Sequence, residues 1–233
     1  MNSIDYNNQR VLVLAPHADD ETLGCGGVLQ KYLGCKSPVR VVIACFTLTF
    51  SKRYKKEIGA YSSYQGNKRI KELQKAMQIL GVDDYHILYQ DQSVKPRYDS
   101  KLDTISRAEL VDHIERHITD FCPTVIFIPS ITKHQDHEAL HQAAVAAARP
   151  YFWNGSVYIY ETDGELSFTP NLYVSLTKEE ITRKLDALKA YVTQLGSNKH
   201  PVNEESIYYK AKFRGNQIYE EFAEAFQILR LRG

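Results

Sequence analysis

The chain repeatedly sets a short apolar run ahead of a helix-length amphipathic segment, and this order constrains its fold more than any other feature. Val11-Leu12-Val13-Leu14-Ala15 is apolar at every position, as expected of a strand buried on both faces. Residues 39–46 (VRVVIACF), 85–89, 125–128 (VIFI) and 157–161 read as further strands. Helices are expected after the glycines that follow Leu23, to about Leu33; from Asn67 to Leu80, with Gly81 as C-cap; from about Leu102 to Asp120; and from His137 to Arg149. Such alternation, with connections this long, specifies βαβ units and an α/β fold built on a mostly parallel sheet.

The last third is less regular. Residues 172–176 read as a strand, and Ile181, Leu185, Leu188, Val192 and Leu195 mark a helix. Ile218, Phe222, Phe226 and Leu229 have the spacing of another helix. No repeat, low-complexity tract or linker is evident, so residues 1–233 are expected to form a single domain.

Composition narrows the function classes. With 43% apolar and 24% charged residues, the chain reads as an ordinary soluble globular protein. A formal net charge of +1 implies no polyanion-binding face and no nucleic-acid partner. The basic run Lys52, Arg53, Lys55, Lys56 reads as a solvated loop within a polar, Tyr-rich stretch, residues 47–66, too long for a plain connector. Cysteines at 25, 35, 45 and 122 form no CxxC pair, and MNSIDYNNQR has no apolar leader, so free thiols and a cytoplasmic location are expected. Nothing approaches the roughly 20 apolar residues of a membrane helix. A homo-oligomer is compatible with this composition but is not read from it.

Two polar clusters carry the chemistry. Directly after the first strand come His17, Asp19, Asp20 and Glu21, followed by Gly24, Gly26 and Gly27; just beyond the fourth strand comes His134-Gln135-Asp136-His137. In a parallel sheet both positions fall on the carboxyl-end rim, where ligands gather. Adjacent carboxylates repel unless a cation holds them, and imidazole with carboxylate is a normal zinc set. His17 and Asp20, three apart, can fold around one ion. His137 would complete three protein ligands and leave a position for water, whose pKa zinc lowers to about 7. Asp19 is then the candidate base, His134 its candidate partner, and Asp136 is placed to orient an imidazole. The plainer readings are helix capping for the acidic trio and hydrogen-bonded or surface roles for single histidines, which we give to His86, His113, His117, His141 and His200. The glycine spacing is not GxGxxG, and the acidic residues ahead of it would repel a phosphate.

PHADDETLGCGG, residues 16–27, resembles the PHPDDE-type signature of the LmbE/PIG-L family of zinc-dependent de-N-acetylases, and HQDH resembles its HPDH. The likeness continues through Arg69-Ile-Lys-Glu72 with Ala76 and Leu80-Gly81-Val82, through Lys184 to Leu195, and through YEEFAEAFQILR at 219–230. The resemblance implies a Rossmann-like three-layer fold and hydrolysis of an N-acetyl group from an N-acetylglucosamine-type amino sugar, a small-molecule partner. By motif position, His17, Asp20 and His137 match the family's metal ligands, with Zn2+ the expected ion and Fe2+ an alternative. Asp19 matches its base, His134 the histidine assisting the tetrahedral intermediate, and Asp136 the aspartate between the histidines. Arg69 and Asp91 fall where the family contacts substrate. The usual prolines are Ala18 and Gln135 here, and the serine of an SQ pair is Thr193. A loop stiffened less by proline is the expected consequence. The alternatives are a hydrolase of another amide or ester and a non-catalytic module in which metal only braces a sugar- or nucleotide-binding loop.

Overall fold

The computed structural model of the protein describes residues 4–45, 61–89, 102–162, 168–195 and 202–232. The chain runs β1 (Val11–Ala15), α1 (Asp20–Gly34), β2 (Val39–Ile43), α2 (Tyr61–Leu80), β3 (Asp84–Ile87), a 3-10 turn (Leu102–Thr104), α3 (Arg107–Phe121), β4 (Val125–Pro129), α4 (Gln135–Ala147), β5 (Ser156–Tyr160), β6 (Leu172–Leu176), α5 (Lys178–Lys189), α6 (Glu204–Asn216) and β7 (Phe222–Arg230). One seven-stranded sheet has the order β3-β2-β1-β4-β5-β7-β6. The first five strands are parallel, and β7 lies antiparallel between β5 and β6.

The strand order explains why β1 is apolar throughout. Val11, Val13 and Ala15 face a core shared with α1, α2 and α5, while Leu12 and Leu14 face a second core shared with α3 and α4. Alternate residues of one strand therefore bury on opposite sides of the sheet, and the α/β/α three-layer architecture follows. The order reverses at β1, with β2 on one side and β4 on the other, so the crevice at their carboxyl ends is the topological switch point.

The glycines after the first cluster allow α1 to press on the sheet. A Cβ at Gly24 would lie 2.0 Å from Tyr160 Cδ2, and one at Gly27 would lie 2.4 Å from Leu176 Cδ1. Tyr160, so packed, donates its hydroxyl to the Leu14 carbonyl at 2.9 Å. A buried ion pair also grips this helix. Lys184 Nζ and Glu224 Oε1 are 2.6 Å apart, Lys184 donates to the Leu23 carbonyl at 2.7 Å, and Glu224 accepts from the backbone N–H groups of Gly27 and Val28 at 2.8 and 2.7 Å. Each charge thus has hydrogen-bond partners besides the other, the condition under which burial of such a pair is tolerated.

Several expectations need correction. Residues 218–229 are not a helix, because β7 occupies Phe222–Arg230. Phe222 and Phe226 are four apart, and an even spacing also keeps residues on one face of a strand, while Ile218 lies in the turn ahead of it. As a central strand, β7 buries Phe222 through Phe226 on both faces, so no alternation was visible to mark it. Helix α6 was not anticipated: its buried stripe is only Ile207, Ala211 and Gly215, while Tyr209 and Phe213 point outward and blur the pattern. Helix α2 begins at Tyr61, inside the stretch expected to be loop, and residues 47–60 of that stretch lie outside the described residues. The segment after residue 102 opens with a 3-10 turn, and α3 starts only at Arg107, where Ser106 accepts a cap bond from the Glu109 N–H. Helix α4 begins two residues early, so HQDH spans its N-cap and first turn. The four cysteines are free thiols.

Candidate active site

Both polar clusters lie at the switch point, one at each of two strand-to-helix turns. Asp20 opens α1, and Asp19 occupies its N-cap position. Asp136 and His137 lie in the first turn of α4, with His134 at its N-cap. The rim therefore joins residues some 115 positions apart in sequence, as the parallel topology requires.

Asp20 is the centre of the first group. Its Oδ2 lies 3.3 Å from His17 Nδ1 and 3.3 Å from His137 Nε2, and it accepts the His17 backbone N–H at 3.1 Å. His17, Asp20 and His137 are all nearly fully buried, and one ligand atom from each lies within 4.8 Å of the others, so a single metal ion can be held among them. The other nitrogen of His137, Nδ1, is buried without a hydrogen-bond partner among the described residues. A buried carboxylate between two imidazoles fits a divalent cation.

Asp136 was expected to orient an imidazole, and the structure identifies that ring as His17. Asp136 Oδ2 lies 2.9 Å from His17 Nε2, whereas His134 Nδ1 is 3.9 Å away. Its Oδ1 accepts the Leu102 N–H at 2.8 Å, which fixes the carboxylate from the 3-10 turn. With a cation on Nδ1, His17 would keep its proton on Nε2, facing Asp136, as in a carboxylate–histidine–metal relay. His134 has the same tautomer for a different reason. Its Nδ1 accepts the Asp136 N–H at 3.2 Å, which places the proton on Nε2 of this partly exposed ring.

Asp19 differs from an ordinary N-cap. Its side chain makes no cap hydrogen bond, and its backbone has φ 136° and ψ −32°. The capping reading therefore fails for Asp19. Glu21, by contrast, is fully buried and structural: it accepts from the Asp19 N–H at 2.9 Å, Thr22 Oγ1 at 2.5 Å and Tyr191 hydroxyl at 2.6 Å.

The charges shape one another. Burial pushes the Asp19 carboxyl well above the usual carboxylate range, and the neighbouring Asp20 charge adds to this against the counter-pull of Arg69. Burial works against Asp20 as well, but His137 and His17 hold its carboxyl below that range. His134 is lowered by burial and by the His17 charge, in keeping with a neutral ring.

Arg69 reaches the site from below. It is almost completely buried and donates from Nη2 to the Ala18 carbonyl at 2.9 Å. Asp91 lies outside the described residues. Of the remaining histidines, His86 contacts Asp84 at 2.8 Å and His141 contacts the Pro129 carbonyl at 2.7 Å, while His200 lies outside the described residues. Two neighbours of the site escaped the sequence reading. Cys45, just past β2, lies 3.7 Å from Asp136 Oδ2 and 3.5 Å from the Pro16 carbonyl. Its position at the carboxyl end of a strand beside β1 was the available signal. Tyr191 lay within the Lys184 to Leu195 likeness, but its bond to Glu21, across 170 residues of sequence, had no signal.

The profile of the PIG-L family, described as GlcNAc-PI de-N-acetylase, matches residues 12–148, more than half of the chain and both polar clusters. The chain is 26% identical over 212 residues to the probable N-acetyl-alpha-D-glucosaminyl L-malate deacetylase 2 of Bacillus anthracis, covering 82% of this chain and 84% of that protein. Its fold is similar to that of N,N'-diacetylchitobiose deacetylase from Pyrococcus horikoshii (TM-score 0.71, 21% identity, 95% of this chain and 84% of the other). It is also similar to that of the 4-carboxy-2-hydroxymuconate hydratase of Pseudomonas putida (TM-score 0.70, 18% identity, 97% and 98%). These two likenesses concern the fold.

Proposed function

The chain belongs to the PIG-L family of de-N-acetylases, and on that premise we propose that it hydrolyses the N-acetyl group of an N-acetylglucosamine-type amino sugar or glycoconjugate. The observation that carries this reading is a buried His17–Asp20–His137 donor set beside Asp19, a carboxylate at an N-cap position that it does not use for capping. A structural metal site needs ligands but no spare carboxylate, which counts against a merely metal-braced binding module.

We assign His17, Asp20 and His137 as ligands of a divalent ion, zinc by the chemistry of the donors, with ferrous iron as the alternative. When bound, the ion supplies Lewis acidity that polarises an amide carbonyl and acidifies water. The protein's own groups do the rest. Asp136 holds the His17 ring in the tautomer that turns Nδ1 toward Asp20. Asp19 takes the proton of the water whose oxygen bonds to the acetyl carbon. His134 donates from Nε2 to the carbonyl oxygen as charge develops there, the duty of an oxyanion-hole donor. The C–N bond then breaks, the proton held by Asp19 passes to the leaving nitrogen, and acetate and the free amine depart.

The Bacillus relative is named for an N-acetylglucosaminyl malate and the Pyrococcus neighbour for diacetylchitobiose, both acetamido sugars, and this supports the same substrate class here. The hydratase of the same fold shows why fold alone does not choose the reaction. Arg69 falls where the family contacts substrate, and its burial and its bond to Ala18 also support a role beneath Asp19. We read residues 1–233 as one such domain, since Lys184 and Glu224 from the last third hold α1. No helix among the described residues is long and apolar enough to cross a membrane, which favours a small-molecule substrate over a lipid-embedded one.

The test compares metal content and acetate release over a panel of acetylated amino sugars for the wild type and Asp19→Asn. Retained metal with lost acetate release supports the hydrolase. Equal release by both proteins removes Asp19 as the base, and no release by the wild type from any sugar of the panel favours the binding module.

A further inference from the structure

The peptide unit joining Ala18 to Asp19 is held at both polar ends by buried ionisable side chains. Its carbonyl oxygen, on Ala18, accepts from Arg69 Nη2 at 2.9 Å, and its N–H, on Asp19, donates to Glu21 Oε2 at 2.9 Å. Arg69 comes from α2 and Glu21 from α1, so the two grips approach this single plane from different elements. Both residues are essentially inaccessible to solvent. Glu21 is itself fixed, because its other oxygen accepts from the Tyr191 hydroxyl at 2.6 Å and from Thr22 Oγ1 at 2.5 Å.

The orientation of a peptide plane determines φ of the residue that follows it, here Asp19. That φ is 136°, in the range that residues bearing a Cβ rarely adopt. Such a conformation persists only where the surroundings over-determine it, and it concentrates at functional sites. With this backbone, the Asp19 side chain makes none of the hydrogen bonds to helix N–H groups that an N-cap aspartate ordinarily makes. Position 18 here is alanine, which does not fix its own φ as proline would, so rigidity of the loop has to come from outside it.

We propose that Arg69 and Glu21, with Tyr191 behind Glu21, form a peptide clamp that sets the Asp19 backbone and thereby aims the Asp19 carboxylate at the reacting water. They are positioning residues, acting through Asp19. This rests on the reading of Asp19 as the general base, and the test keeps the two claims separable.

The clamp predicts that Glu21→Ala lowers kcat for the acetylated sugar about 10- to 100-fold, the scale of an ångström-sized misplacement of a catalytic group, with metal content and KM held. Glu21→Gln still offers an oxygen to the Asp19 N–H and an amide to the two hydroxyls, and it recovers most of the lost rate. A change in KM alone or a Glu21→Gln variant as slow as Glu21→Ala overturns the clamp. An Asp19→Asn variant as active as the wild type overturns the base instead. A crystal structure of Glu21→Ala gives a readout independent of turnover: Asp19 relaxes to negative φ, and retention of φ near 136° contradicts the clamp. If Glu21→Ala does not fold, Tyr191→Phe carries the same test, with a smaller fall in kcat at constant metal content expected and an unchanged kcat counting against the clamp.

Discussion

The two turns that meet at the site solve the same problem differently. At the end of β4 the chain enters α4 through His134, whose backbone is extended (φ −89°, ψ 123°) and whose ring accepts a cap bond from the Asp136 N–H. At the end of β1 it enters α1 through Asp19, whose φ is 136° and whose side chain caps nothing. One N-cap is satisfied locally and costs no backbone strain. The other is held through its backbone, by Glu21 two residues on and by Arg69 from α2, and its carboxylate makes no cap bond. The contrast teaches how one helix start can be spent on stability and another on chemistry. Capping immobilises one nitrogen of His134 and thereby defines which one carries the proton, whereas withholding the cap leaves Asp19 available as a base.

The contrast can be broken most severely at the donor set that joins the two turns. His137→Ala should abolish both bound metal and acetate release, measured by metal analysis and product assay on the same preparation. A variant that kept full metal content would remove His137 from the set. Next comes His134→Asn, which retains a good N-cap side chain but lacks the Nε2 donor. It should lose about 10²-fold in kcat, the usual scale for a missing oxyanion donor, with its melting transition unchanged. His134→Ala should lose similar activity and also about 1 kcal/mol of stability with the cap. If the two variants melted alike, the cap assignment would be wrong. Asp136→Asn tests the link between the turns through His17. It should weaken metal affinity about 10- to 100-fold, as loss of a carboxylate behind a ligating histidine does, and competition with a chelator measures it.

The smallest effect is expected at a contact that touches none of the donor set. Thr193 donates its hydroxyl to Glu72 at 2.5 Å, and its N–H reaches the other carboxylate oxygen at 3.0 Å, fastening α2 to the segment after α5. Thr193→Ser keeps the hydroxyl and should melt like the wild type. Thr193→Val should cost about 1 kcal/mol, the typical net value of one such bond, in a denaturant titration.

Much of this contrast was legible in the sequence because the residues at the two turns are consecutive and chemically unusual. A buried strand followed at once by His17-Ala-Asp-Asp-Glu21 announces a site, and a parallel sheet dictates that the HQDH segment shares its rim. What could not be read was which group serves which. Asp136 lies two residues from His134 in sequence yet supports His17, since helix geometry gives His134 the backbone N–H and turns the carboxylate across the crevice. Arg69 carried a motif position that suggested substrate, and only the tertiary packing places it under the Ala18 carbonyl. In the last third, the four-residue spacing of Phe222 and Phe226 satisfied helix and strand alike, and pairing with β5 and β6 decided for strand. The partner of Glu224 lay equally beyond reach, because its ion pair with Lys184 exists only once α5 crosses α1.

The most direct measurement of the central claim is acetate release by Asp19→Asn purified with its metal. The arrangement of the two turns predicts a protein that melts like the wild type, holds the same metal content and releases acetate only at background rate. Wild-type acetate release from that variant would contradict it, and the uncapped carboxylate at the head of α1 would then have no catalytic duty.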